Sequence, residues 1–258
     1  IAQLAFAAGL LTMLTFMPIY FQSGLGLAPR TAGLMMLPMA LPLFIVPRIV
    51  TSQLAHRLSG RTLLTIGLGF VSAGLAWMAL VAGHLDQRSI LVGMLVTGIG
   101  AGMLNGETTK VGMTVIPPER AGMASGVSGT VRFTGIVIGF AALGVVLFSR
   151  ISLAITAALP ALGAGDRLAF IRDVASGNLS GAGVAAPSGT DLHALALRSF
   201  GQGYEALLFT SAGLTGIAAI AVWLLVRASD TLPIAKPKGG RVSESKTAEA
   251  AAQSLGAE

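Results

Sequence analysis

Cysteine is absent from the 258-residue chain, which excludes a disulfide framework and any thiolate metal site. Charge is nearly as scarce. Asp, Glu, Lys and Arg together make up 11% of the residues, against about 25% in an average soluble domain. So few charges cannot coat a water-soluble globule. His84 and His193 lie between the apolar segments with no His or acidic residue at i, i+4, so neither suggests a metal site. Ser, His and Asp show no spacing that would make a hydrolytic triad. The net charge of +6 and pI near 10.5 come without a basic patch interleaved with aromatics, so nucleic acid is not an expected partner. The chain begins at Ile1 inside an apolar run, without a basic stretch before it. That is not a signal peptide, and it reads as a piece of something longer.

What is abundant is apolar surface. Hydrophobic residues are 53% of the chain, the mean hydropathy is +0.79, and there are 34 glycines, a residue more frequent in membrane helices than in soluble ones. Crossing a bilayer as a helix takes about 20 mostly apolar residues. Six segments meet that length: Ile1 to about Gln22, Thr31 to about Ala55, Thr62 to Ala82, Ser89 to Ile116, Ala121 to Phe148, and Tyr204 to Val226. The third has no polar stripe at helical spacing, as a helix in a soluble bundle would. The expected fold is therefore all-α, a polytopic six-helix membrane bundle over residues 1–227, with the lipid bilayer as its solvent.

The connection from about Ser149 to Gly203 differs in kind. It holds Asp166, Arg167, Arg172 and Asp173 and a small-residue stretch from Gly177 to Gly189. One short amphipathic helix is expected near Asp166–Ala175 and another near Asp191–Phe200. The tail, residues 228–258, is polar and poor in bulky apolar groups, a composition of disordered segments. Orientation follows from Lys and Arg near helix ends. Eight lie on the side of the second–third loop, the fourth–fifth loop and the tail (Arg57, Arg61, Arg120, Arg227, Lys236, Lys238, Arg241, Lys246). Of the six on the other side (Arg30, Arg88, Arg150, Arg167, Arg172, Arg198), four lie in or beside the long connection, which counts less. The expected C-terminus is cytoplasmic, the long connection periplasmic, and the location the inner (plasma) membrane.

Ionisable residues inside membrane helices are rare and point to function by default. Arg48, Glu107, Lys110 and Arg132 qualify. At about 1.5 Å per residue, Glu107 lies roughly 27 Å and Arg48 roughly 26 Å from the outer starts of their segments, within pairing reach of each other. Lys110 lies one turn deeper and can snorkel to headgroups; at i, i+3 it shares a face with Glu107. Arg132 lies roughly 17 Å from the start of its segment, nearest the midplane. Two readings stand side by side: a structural network near the cytoplasmic face, or a proton-titrating Glu107 with Arg132 coupling substrate or proton. Asn105 and Gln22 are candidates to line a path.

Two further patterns concern helix pairing. Gly98, Gly100, Gly102 and Gly106 in the fourth segment, and Gly122, Gly126, Gly129, Gly135 and Gly139 in the fifth, have the small-residue spacing that lets helices approach closely in lipid. Between these segments stands Pro117-Pro118-Glu119-Arg120. Pro118 cannot continue one helix but is tolerated in the first turn of the next, and Glu119 suits a helix N-terminus. The turn shapes and anchors the hairpin, and could also latch two halves of a larger protein.

The run from Gly98 through Gly135 resembles the fourteen-helix drug–proton antiporter branch of the major facilitator superfamily. That branch has a glycine-laddered helix, a Val-Pro-Pro-Glu-Arg-Ala-Gly turn (here Ile116 to Gly122), and a small-residue helix ending near Thr-x-Arg, here Thr130 and Arg132. The loop Leu54-Ala55-His56-Arg57-Leu58-Ser59-Gly60-Arg61 resembles a degraded copy of the superfamily's Gly-x-Leu-Ala-Asp-Arg-x-Gly-Arg-Arg motif. Arg57 and Arg61 are kept, with His56 at the acidic position and Ser52 and Ser59 at glycine positions. Phe133 stands where the branch usually has Gln. The resemblance implies the C-terminal half of a transporter whose N-terminal half is the missing partner. It also implies proton-coupled export of small organic compounds by alternating access, driven by the proton gradient with no bound cofactor. A nutrient permease of the same superfamily and a non-transporting scaffold are the alternatives. A membrane-embedded enzyme would need clustered acids or histidines at one depth, which the sequence does not offer.

Overall fold

The computed structural model describes residues 2–50, 59–83, 87–114, 121–160, 162–180 and 191–226, with side chains at all of these except 2, 11, 12, 87, 106–114 and 121. The described residues are helical throughout their ordered elements, with no strand among them. Six helices are long and apolar enough to cross a membrane. We label the elements α1 (Gln3–Gly24) and α2 (Pro29–Ile49), α3 (Gly60–Ala82), α4 (Gln87–Thr114), α5 (Ala121–Ala158), α6 (Ala164–Ser176) and α7 (Leu192–Leu225). The expected all-α membrane bundle is what the chain forms.

Several helices start and stop where local chemistry dictates. Ser59, at a degraded glycine position of the loop motif, caps α3, its Oγ accepting from the Thr62 amide. Asp191 caps α7 in the same way through Ala194, as short oxygen-bearing side chains do at helix N-termini. α6 ends at Gly177, whose φ of +92° is the left-handed conformation glycine adopts freely. The Gly177 and Asn178 amides then satisfy the carbonyls of Val174 and Asp173, closing a Schellman motif.

Hydropathy alone did not foresee three features. α1 is not one regular helix, because π-helical turns at Ala7–Leu11 and Tyr20–Gly24 interrupt it. α2 breaks at Met36, since Pro38 has no N–H for the Leu34 carbonyl and its ring crowds that carbonyl. α5 and α7, with 38 and 34 residues, are about 57 and 51 Å long, well beyond the roughly 30 Å hydrocarbon core. Much of the expected connection is thus helix: Ser149–Ala158 extends α5, and the helix expected near Asp191–Phe200 leads into the last span without a break, as the first turns of α7. Its buried Ile151, Ile155, Phe170, Val174 and Phe200 join α6 to these extensions in a folded cap.

α2 and α3 pack on α4, α1 packs on α5, and α7 packs on α1, α3 and α5. At the cap end, Tyr20, Phe200 and Tyr204 cluster, with Tyr20–Tyr204 centroids 5.1 Å apart and Phe200–Tyr204 4.6 Å apart. Their hydroxyls find backbone partners, Tyr20 donating to the Ala82 carbonyl and Tyr204 to that of Phe16, each at 3.0 Å. This cluster ties α1, α3 and α7 together.

Candidate functional site

Burial is divided unequally among the spans. In the most apolar stretch of α1, 62% of residues are buried, against 17% for α2 and 22% for α5. The physical cause shows in α5. Its face built from Gly135, Leu143, Leu147 and Ile151 is buried, and a Cβ added at Gly135 would lie 2.7 Å from the Leu4 carbonyl oxygen. The other face has no neighbour among the described residues. There Gly126, Gly129, Thr130, Phe133, Thr134 and Val137 line an open groove of about 630 Å³. Gly122, Gly126 and Gly129 have nothing within 4 Å of an added Cβ. The expectation of tight packing at these three is therefore corrected: the spacing is right, but their face meets no helix among the described residues.

On α4 the same expectation holds. Gly98 approaches the Met39 carbonyl of α2 so closely that a Cβ would lie 2.6 Å from it, and Gly102 does so at the Pro42 carbonyl, also 2.6 Å. Gly100 turns the other way, where an added Cβ would lie 2.5 Å from the Gly67 carbonyl oxygen of α3. α4 is thereby clasped between α2 and α3.

The groove is mostly apolar with a few polar groups. Thr130 returns its hydroxyl to the Gly126 carbonyl at 3.0 Å, which meets its hydrogen-bonding need within its own helix. Arg132 is exposed, with its guanidinium 5.7 Å from the Phe133 ring centroid, at the outer range of a cation–π contact. Phe133, where the resemblance would put Gln, is thus a wall of the groove and a partner of Arg132. Behind it, Ser128 donates to the Gln3 side-chain oxygen at 2.9 Å, joining α5 to α1.

The remaining sequence-predicted residues scatter. Asn105 is exposed on α4, and Arg48 is exposed near the end of α2. Glu107 and Lys110 fall within α4, but their side chains lie outside the described ones, as do Arg57, Pro117, Pro118, Glu119 and Arg120 altogether. Arg61 does not face the groove. Its guanidinium lies over the Trp223 ring at 4.1 Å and donates through Nη2 to the Trp223 carbonyl, fastening the start of α3 to the end of α7. His193, expected in a connection, sits in the first turn of α7 with Nδ1 2.8 Å from the Leu179 carbonyl. Glu205 went unnoticed in the sequence because it sits one residue inside the expected last segment. The structure places it half-buried on α7 beside the α3–α4 turn.

The sequence model of the Major Facilitator Superfamily matches residues 1–140, more than half of the chain. The chain belongs to that superfamily. It is 36% identical over 140 residues to the multidrug resistance protein Stp of Mycobacterium tuberculosis, covering 54% of this chain and 26% of Stp. The methylenomycin A resistance protein of Streptomyces coelicolor is 36% identical over 52% of this chain and 28% of its own length. The efflux pump LfrA of Mycolicibacterium smegmatis is 31% identical over 54% of this chain and 27% of its own. The match thus spans about a quarter of each of these relatives. Family and helices together make this superfamily member a multi-pass membrane protein with lipid-facing helices, and the names of its relatives are those of the drug-transport branch that the sequence resembles.

Proposed function

We propose that this chain is the C-terminal half of a secondary active transporter that exports small organic compounds in exchange for protons. The observation that carries the reading is the uncovered face of α5. A groove of about 630 Å³ with glycines, threonines and Phe133, beside an exposed arginine, is a surface that a second six-helix half would complete into a cavity. Mostly apolar walls with a few placed polar groups are the usual make-up of small-molecule sites. The drug-resistance and efflux names of Stp, LfrA and the methylenomycin A protein support drug-like compounds as the substrate class.

Glu107 is the proton carrier in this scheme, because an acidic residue in the apolar run of α4 is held there at a cost that function explains. Arg132, exposed beside the groove wall Phe133, is the charge that senses substrate or proton. The protein sits in the inner membrane with a cytoplasmic C-terminus. The test is transport by the full-length protein in everted vesicles. A pH gradient drives accumulation of a fluorescent cationic dye, and Glu107→Gln abolishes that accumulation while dye binding stays measurable. Gradient-driven transport unchanged in Glu107→Gln removes Glu107 from coupling; no dye or drug moved by the unaltered protein overturns export itself.

A further inference from the structure

Charge of one sign is missing from the open faces of the bundle. α5, 38 residues long, contains Arg132 and Arg150 and no acidic residue. Among the described side chains of α1, α2 and α4 there is no acid either, and the charges there are Arg30, Arg48 and Arg88. The acid used in the transport scheme, Glu107, is on α4 and not on the helix that forms the groove. The groove on α5 is therefore lined without a carboxylate. A cationic group placed in it meets no counter-charge among the described residues.

At the rim the opposite charge is on offer. Arg132 is exposed and forms no ion pair among the described residues. Its contact is the Phe133 ring, whose centroid lies 5.7 Å from the guanidinium carbon. A guanidinium in a membrane-spanning helix without a partner is held there at a cost, and an anion that binds it offsets part of that cost. The neighbouring ring decides what shape of anion fits. Phe133 is 63% exposed, and aromatic rings pair with centroids about 4.5–7 Å apart. A ring seated on Phe133 thus brings its substituents within reach of Arg132. The planar fork of N–H groups matches a carboxylate through two parallel hydrogen bonds. Val137, one turn further on and 67% exposed, continues the apolar wall under the rest of such a molecule.

We infer that the α5 groove has an anion subsite at Arg132 and prefers aromatic carboxylates to uncharged or cationic aromatics of the same shape. The inference rests on the reading of the groove as the substrate site, and it names the class that site favours. Arg132 donates to the carboxylate oxygens and Phe133 holds the ring. A cationic dye uses only the uncharged part of the groove, so its export reports transport without reporting this subsite.

The test is equilibrium binding of radiolabelled 2-naphthoate to the purified full-length protein in detergent. Unlabelled 2-naphthoate, 2-naphthamide and 2-naphthylmethylammonium compete for it; they share a ring system and differ in charge. A charge-assisted hydrogen bond sets the expected preference for the carboxylate over the amide at about tenfold, with the ammonium weaker still. This ranking uses the unaltered protein, so it does not depend on any variant folding. Arg132→Gln is expected to remove the advantage of naphthoate while labelled naphthamide binds as before. Arg132→Lys, which keeps the charge without the fork, should fall between. Absent binding of naphthoate, or equal competition by carboxylate and amide, overturns the proposal and means that an acid elsewhere in the full protein already occupies Arg132. A carboxylate preference that survives Arg132→Gln overturns it too. The export reading fails separately: vesicles that move no dye while this ranking holds remove export and leave the subsite, and dye export without the ranking removes the subsite alone.

Discussion

Arg61 and Trp223 are 162 residues apart, yet the guanidinium covers the indole and bonds the carbonyl behind it. Trp223 is two residues before Leu225, the last residue of α7, so the cation also sits where a helix C-terminus carries partial negative charge. The loop motif in the sequence marked Arg61 as important without saying to what it binds, because nothing local to residues 54–61 names a partner on the last helix. Arg61→Ala removes a cation–π contact and a charge-assisted hydrogen bond, together about 1–3 kcal/mol, and is expected to lower the thermal midpoint of the purified protein in detergent. Arg61→Lys keeps the charge but loses the planar fork and should fall between the two. A double-mutant cycle with Trp223→Leu isolates the pair. Additive losses in that cycle would show that the two side chains do not act together.

At the scale of the element, six spans were legible because length and apolar composition alone decide whether a helix can cross a bilayer. Register was not. The π-helical turns of α1 add a residue to a turn without altering hydropathy, and one of them presents the Gly9 carbonyl to Ser211 Oγ at 3.1 Å. In the long connection the short amphipathic helix near Asp166–Ala175 was legible and forms as α6, but its closing into a cap through buried Phe170, Ile171 and Phe200 was not, because hydropathy does not name tertiary partners. Glycine spacing was half-legible: it shows where a backbone can come close, not whether a neighbour is there. Gly98 and Gly126 separate these cases. Gly98→Ala would force a methyl to within 2.6 Å of the Met39 carbonyl oxygen, and should sharply lower the yield of monodisperse protein in size-exclusion chromatography. Gly126→Ala meets nothing within 4 Å and should leave that yield unchanged. Equal yields for the two variants would contradict the clasp of α4 between α2 and α3.

For the whole molecule, exposure has two meanings, and the chain shows both. Val127 and Val137 on α5 are 59% and 67% exposed, while Ile217 and Leu224 on α7 are 69% and 73% exposed. Within this chain the two pairs are alike. In lipid they are not, if the α5 face is where a second half docks and the α7 face is where acyl chains lie. A monomeric soluble protein rarely leaves so much contiguous apolar surface open, and in a membrane protein lipid covers only part of it. Because the chain has no cysteine, one introduced thiol per variant serves as a unique reporter once any cysteine elsewhere in the full-length protein is removed. Spin labels at Ile217→Cys and at Ile220→Cys, which is 62% exposed and further from the helix end than Leu224, should show the high oxygen accessibility of the hydrocarbon phase. Labels at Val127→Cys and Val137→Cys should show low oxygen accessibility, with access to a water-soluble relaxing agent that changes when substrate is added. Lipid-like values at all four positions would mean that α5 faces the bilayer, and the groove would then have no second half to complete it.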